Sequence, residues 1–305
     1  MAIRHFLDID LLDKATFRQI IDDAHEIKRA GKKLPEGYDP SLFAGSALIM
    51  IFEKPSTRTR VSFDVGMRQL GGETLVINRD DLQLGRGESI GDTAKVLSRY
   101  GDVVMMRVSS HETLEEFAKH ASIPVINGLS DRSHPCQIVA DIMTFEEQKG
   151  PVKGKVLTWV GDGNNVVVSL IHAAVLLGFK LRIGAPDALR PDQTVLDRAL
   201  AEGGDIEITD DPSEAVRGAD CVLTDTWVSM GDGDKSARIK LLKPFGVTES
   251  LMEKAAPEAI FMHCLPAYRG SEVSAEVIDG PRSVVFDEAE NRLHAQKAVL
   301  AWCLG

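Results

Sequence analysis

The residues best suited to chemistry sit in one short run, Glu53-Lys54-Pro55-Ser56-Thr57-Arg58-Thr59-Arg60. Three hydroxyls and a guanidinium follow one another at Ser56 to Thr59. An apolar stretch, Ala47 to Phe52, precedes them and reads as a buried strand. Phe63, Gly66, Met67 and Leu70 then fall at helical spacing, and Gly71-Gly72 stops that helix. Pro55 disfavours helix at Lys54, and Ser56 is a good N-cap. The hydroxyls therefore stand at a strand-turn-helix corner. First-turn N–H groups and the helix dipole attract anions there, and arginine pairs bidentately with phosphate. The run reads as a phosphate cradle.

Further polar residues fall where strands are expected to end. Arg107 closes Val103-Val104-Met105-Met106, and His134-Pro135-Cys136-Gln137 opens a helix after a strand near Val125. Asn164-Asn165, Asp225 and Cys264 occupy the same kind of position later in the chain, and Arg292 lies on the last helix. Taken singly, each has an ordinary reading as a cap, a turn residue, a core thiol or a solvated charge. Their coincidence at strand ends points to ligand binding, because open α/β sheets bind ligands beyond the carboxyl ends of their strands.

The elements that must position these residues alternate along the chain. A charged helix is expected over Lys14 to Lys33. Strands follow at Ala47–Phe52, Thr74–Ile77, Val103–Arg107 and Pro124–Ile126, with helices between them. After Gly150-Pro151 a second series begins, with strands expected at 156–160, 181–183, 206–208, 221–224, 260–263 and 284–286, and a final helix over Glu288–Trp302. The fold class read from this pattern is α/β, with two doubly wound parallel-sheet domains and the active site in the cleft between them. The expected domains are 1–147 and 148–287, with helix 288–305 packing back on the first.

Composition narrows the partners. The 305 residues are 44% hydrophobic and carry a net charge of −11 without a long basic run. Nucleic acid is therefore excluded as a partner. Cys136, Cys221, Cys264 and Cys303 are scattered with no C-x-x-C, which fits a reducing compartment and neither a zinc site nor a disulfide framework. No apolar run has the length of a membrane span, so a cytoplasmic location is expected. Gly161-Asp162-Gly163, followed by Asp187 near the next strand end, offers a rival reading as a dinucleotide loop of an oxidoreductase. Val166 stands where the third glycine of that fingerprint belongs.

Together, Ser56-Thr57-Arg58-Thr59, His134-Pro135-Cys136-Gln137, Asp225-Thr226-Trp227-Val228-Ser229-Met230-Gly231 and His263-Cys264-Leu265-Pro266 resemble the aspartate/ornithine carbamoyltransferase family. The Ser-Met-Gly and His-Cys-Leu-Pro segments resemble its ornithine branch more than its aspartate branch. The segment Asp232-Gly233-Asp234-Lys235 is less acidic than the family often has there. The resemblance implies transfer of a carbamoyl group from carbamoyl phosphate to ornithine, in arginine metabolism, without cofactor or metal. It implies that Ser56, Thr57, Arg58 and Thr59 hold the phosphate. Arg107, His134, Pro135, Cys136 and Gln137 then surround the carbamoyl end, joined by Gln83 of a neighbouring subunit in a homotrimer or a multiple of trimers. Arg292, Cys264 and Leu265 also contact this donor. Asn165, Asp225, Ser229 and Met230 bind ornithine, and Arg107, His134, Cys264 and Asp225 are the catalytic set. Other acceptors, namely aspartate, putrescine or an N-acylated ornithine, are the nearest alternatives.

Overall fold

Six consecutive apolar residues with no polar alternation suit a strand covered on both faces, and Ala47–Phe52 forms one (β1). Five of its six residues are buried, each such aliphatic side chain contributing roughly 1.5–3 kcal/mol on transfer from water. The computed structural model describes residues 3–31, 43–81, 87–228 and 235–305. The chain divides into two compact units, Met1–Met143 with Glu290–Gly305, and Thr144–Ala289.

The first unit contains α1 (Lys14–Arg29), β1, α2 (Thr57–Leu70), β2 (Glu73–Asn78), α3 (Ile90–Leu97), β3 (Val103–Arg107), α4 (His111–His120) and β4 (Val125–Leu129). Helix α5 (Pro135–Lys149) starts in this unit. Its sheet is parallel throughout, in the order β2-β1-β3-β4. Because all four strands point the same way, their carboxyl ends share one edge. The register sets Phe52 beside both Asn78 and Arg107, and Arg107 beside Leu129. The turn after β1 therefore emerges next to Arg107, as the Glu53 N–H bond to Arg107 O (3.0 Å) records.

Side-chain caps start these helices. The Asp13, Ser56, Ser89 and Ser110 side chains accept backbone N–H groups of α1, α2, α3 and α4. Helix α2 ends on Gly71 at φ 99°, a left-handed conformation that glycine alone adopts without strain.

The second unit repeats the plan. It contains β5 (Val156–Val160), α6 (Asn165–Leu177), β6 (Lys180–Gly184), α7 (Gln193–Ala201), β7 (Ile206–Thr209), α8 (Pro212–Val216), β8 (Cys221–Thr224), α9 (Lys235–Leu242), α10 (Glu249–Met252), β9 (Ile260–His263) and α11 (Ala275–Ile278). Helix α12 (Val285–Leu304) starts here, and its residues from Glu290 onward belong to the first unit. The five strands are parallel, in the order β7-β6-β5-β8-β9.

One expected strand is absent. Val284–Phe286 was expected as a strand on its apolar run, but Val285 begins α12. The charges that follow, Asp287 and Glu288, sit in that helix's first turn, where the dipole favours them. Phe286 is 70% exposed, so the run was not a buried strand's.

The glycines of Gly161-Asp162-Gly163 have a structural use. A Cβ on Gly163 would stand 2.1 Å from Pro191 N and 2.4 Å from the Arg190 carbonyl carbon. The loop after β6 thus occupies the close approach that a dinucleotide's pyrophosphate requires of this glycine. Asp187, where a ribose ligand was expected, pairs with Arg190 at 2.6 Å. The dinucleotide reading is set aside on both counts. Replacing Gly163 with alanine is expected to cost about 1–3 kcal/mol through overpacking against this loop. An unchanged thermal midpoint for Gly163→Ala would contradict the close approach.

Candidate active site

In the first unit the site is built from the carboxyl edge of the sheet and two helices. Ser56 caps α2, accepting the Thr59 N–H at 3.4 Å, so the first turn of the helix opens at these hydroxyls. Thr59 is one turn in and only 1% exposed. Its Oγ1 accepts two guanidinium bonds, from Arg107 Nη1 at 3.4 Å and from Arg292 Nη2 at 3.2 Å. Arg292 Nη1 donates to Gln137 Oε1 at 2.6 Å, and Gln137 Nε2 donates to Asp141 Oδ1 at 2.7 Å. Residues read separately along 233 positions of sequence are thus one connected cluster.

The loop carrying His134 is pinned by short polar side chains. Asn127 Nδ2 donates to Leu7 O at 2.9 Å and to Ser133 Oγ at 3.0 Å. The Ser130 N–H bonds Ser133 O at 3.0 Å, and Pro135 then opens α5. His134 is buried, and its pKa lies well below 6.5. Burial is the main cause; the positive charges of Arg292, Arg107 and Arg58 add to it. The imidazole is therefore neutral near neutral pH and can offer one N–H without adding a charge.

Cys136 follows one residue later, at the start of α5. Its Sγ donates to Asn127 O at 3.4 Å, and burial pushes the thiol up to about 12. It is a packing and anchoring residue rather than a nucleophile. Beyond the carboxyl ends of β1 and β2, a cavity of about 370 Å³ is lined by Glu53, Ser56, Thr57, Arg60, Asn78 and Arg79, among others. Glu53 and Arg60 flank the hydroxyl run and were given no role from the sequence, and Asp141 was not singled out. Glu53 Oε2 accepts the Ser109 N–H at 2.7 Å and so ties the tips of β1 and β3 together.

In the second unit the hub is Asp225, just beyond β8. Its Oδ2 accepts Asn164 Nδ2 at 3.0 Å, and its Oδ1 accepts the Thr226 N–H at 2.7 Å and Cys264 Sγ at 3.1 Å. Asn164 Oδ1 meanwhile caps α6 through the Val166 and Val167 N–H groups, at 2.9 and 3.2 Å. Asn165 is the first residue of that helix. One carboxylate thus joins the strand ends of β5, β8 and β9.

Leu265 holds φ at 56°, unusual for a branched residue. Its N–H donates to His263 Nδ1 at 2.9 Å, which helps hold that conformation. His263 Nε2 faces Glu272 Oε1 at 3.4 Å, and the His263 N–H bonds Glu288 Oε2 at 2.8 Å. Donor atoms of Asp225, His263 and Cys264 lie within 4.8 Å of one another. Both ring nitrogens of His263 already face protein groups, and the thiol and carboxylate bond each other. This geometry serves positioning better than metal binding.

The structure thus gathers Ser56, Thr57, Arg58, Thr59, Arg107, His134, Gln137 and Arg292 in the first unit. In the second it gathers Asn165, Asp225, Cys264 and Leu265. Gln83, Ser229 and Met230 lie outside the described residues.

The state of His134 has a measurable consequence. The unfolded chain protonates it near 6.5, whereas the folded site resists protonation to well below that. Its neutral form therefore supports full stability above pH 6.5, and stability falls as pH drops below it, with a slope of at most about 1.4 kcal/mol per pH unit. Urea denaturation between pH 7 and 5 is expected to show a shallower loss for His134→Gln than for the wild type. Parallel curves would contradict a neutral, buried His134.

Comparison with known proteins bears on both units. Residues 4–147 match the model described as "Aspartate/ornithine carbamoyltransferase, carbamoyl-P binding domain", and residues 153–303 match that of the "Asp/Orn binding domain". An ornithine carbamoyltransferase of Rhodopseudomonas palustris is 58% identical over 302 residues, covering 99% of this chain and 97% of the relative. Another from Rhizobium meliloti is 55% identical, covering 99% of both chains. The solved ornithine carbamoyltransferase from Pyrococcus furiosus superposes with a TM-score of 0.92 at 49% identity, covering 98% of this chain and 96% of that one. Among the described residues no helix is long and apolar enough to cross a membrane. With its fold and both halves of its sequence matched along nearly their whole length, the chain belongs to the aspartate/ornithine carbamoyltransferase family.

Proposed function

We propose that the protein transfers the carbamoyl group of carbamoyl phosphate to the δ-amine of L-ornithine, giving L-citrulline and phosphate, within arginine metabolism. The observation that carries this reading is the Thr59 hydroxyl held under two guanidinium groups at the start of α2. That arrangement suits a phosphorylated donor. The phosphate is assigned to Ser56, Thr57, Arg58 and Thr59, where the α2 dipole and first-turn N–H groups favour an anion.

The carbamoyl carbonyl gains negative charge as the amine adds. Arg107, Thr59 and neutral His134 are assigned to receive it; one such donor is typically worth about 3–4 kcal/mol. The donor is a mixed anhydride, so its carbonyl is already activated and needs no enzyme nucleophile. The new C–N bond forms, the C–O bond to phosphate breaks, and the amine's proton leaves with the basic phosphate oxygens. Asp225 and Cys264, bonded to each other at 3.1 Å, are assigned to orienting the amine. Asn165, Ser229 and Met230 are assigned to the amino-acid end of ornithine, and Leu265 and Gln83 to the donor. Pro135 and Cys136 serve by shaping the start of α5. Holding both reactants in line contributes a further share, about 7–11 kcal/mol in well-oriented systems.

The same reading includes a cytoplasmic homotrimer, or a multiple of trimers, with Gln83 reaching the donor site of a neighbouring copy. The edge strand β2 supports a partner copy, since it presents Leu75 at 55% exposure.

A colorimetric ureido assay with carbamoyl phosphate and each of ornithine, aspartate, putrescine and N-acetylornithine tests the reaction. Citrulline is expected at a kcat/KM at least a hundredfold above any other product, and preference for another amine would refute the acceptor. For the cradle, Arg58→Gly is expected to lose about 10²–10³-fold in kcat/KM for carbamoyl phosphate. Wild-type kinetics in that variant would refute the phosphate assignment.

A further inference from the structure

The Gln137 side chain lies between two buried charged groups of opposite hydrogen-bonding character. A carboxamide is two-faced, because its oxygen only accepts and its nitrogen only donates. On one side a carboxylate oxygen of Asp141 takes Gln137 Nε2 at 2.7 Å. On the other, the guanidinium of Arg292, which can only donate, gives Nη1 to Gln137 Oε1 at 2.6 Å. A flipped amide would set oxygen against carboxylate and N–H against guanidinium. With Gln137 and Asp141 at 1% and 3% exposure, water offers no remedy for that mismatch.

The bonds continue from there. Arg292 Nη2 reaches Thr59 Oγ1 at 3.2 Å, and Arg107 Nη1 reaches the same oxygen at 3.4 Å. Five side chains from β3, α2, α5 and α12 form one line, with Asp141 at one end, Arg107 at the other, and Thr59 of the phosphate cradle between Arg292 and Arg107. Asp141 sits one helical turn beyond Gln137 on α5, so the helix itself fixes their spacing.

We infer that Asp141 is a positioning residue for the donor site. It locks the Gln137 amide with its oxygen toward Arg292, and so presents that oxygen's second lone pair to the NH₂ of the carbamoyl group. This inference rests on the proposed reaction and adds a residue to it. Asp141 touches neither substrate and acts through Gln137. Its loss weakens selection of the carbamoyl end and leaves ornithine binding alone.

The test is steady-state kinetics on the full-length protein with carbamoyl phosphate and ornithine, run with Asp141→Ala, Asp141→Asn, Gln137→Ala and the double variant Asp141→Ala/Gln137→Ala. Asp141→Ala is expected to raise the KM for carbamoyl phosphate about tenfold, the loss of one well-made buried hydrogen bond, with the ornithine KM within twofold of wild type. Asp141→Asn keeps an acceptor of the same shape and is expected to recover to within about threefold. In the Gln137→Ala background, Asp141→Ala is expected to add less than twofold. If Asp141→Ala does not fold, Asp141→Ser, too short to reach Gln137 Nε2, carries the same expectations. A wild-type carbamoyl phosphate KM in the folded variant overturns the inference. So do equal rises in both KM values, or effects that multiply in the double variant, which mark a merely structural carboxylate. Citrulline formation by the wild type separates failure of this inference from failure of the proposed reaction.

Discussion

A guanidinium cannot shed its proton in a protein, so burying one commits the surrounding structure to its charge. Arg292, at 4% exposure, imposes that constraint on the first unit. Its two outer nitrogens are met by the neutral oxygens of Gln137 and Thr59, and Arg107 shares the Thr59 oxygen. Neutral acceptors satisfy the hydrogen bonds but leave positive potential in place. That potential helps hold His134 uncharged. A pocket with donors already aimed and positive charge already buried has little reorganisation left when a dianion arrives, which is the condition for strong electrostatic catalysis.

The second unit solves the complementary problem with a carboxylate. Asp225 gathers the turn before α6, the end of β8 and the thiol after β9. The strained φ of Leu265 beside that thiol is held by His263, itself backed by Glu272 and Glu288. Strain kept in place by buried polar groups is a common mark of functional loops. The two units thus carry opposite electrostatic characters on one repeated architecture: arginines around an anion site, and a carboxylate where a cationic amino acid is assigned.

Much of this was legible in the sequence because the elements at stake obey local rules. The unbroken apolar run of β1, the Ser56 cap and the Gly71 stop predict the strand-turn-helix corner without tertiary information. The misread strand at Val284–Phe286 shows the limit of periodicity: three apolar residues fit either period, and the acidic pair after them was the helix signal. Long-range pairing was opaque. Nothing local distinguishes Arg292 from a solvated helix charge; its assignment to the donor came only through resemblance to a family, and its place beside Gln137 only from the structure. Asp141 carries no local signal, since only the guanidinium on Gln137's far side gives its position meaning. Gly163 resembled a nucleotide loop because close backbone approach demands glycine whether the neighbour is a pyrophosphate or Pro191.

The central claim is that the start of α2 and the Arg107–Thr59–Arg292 cluster form a preorganised anion site for the donor. Hydrogen–deuterium exchange with carbamoyl phosphate alone, without ornithine, tests it most directly. Slowed exchange is predicted at the amides of 57–60 and of 136–138. Donor binding that saturates while those amides exchange at their unliganded rates would contradict the account.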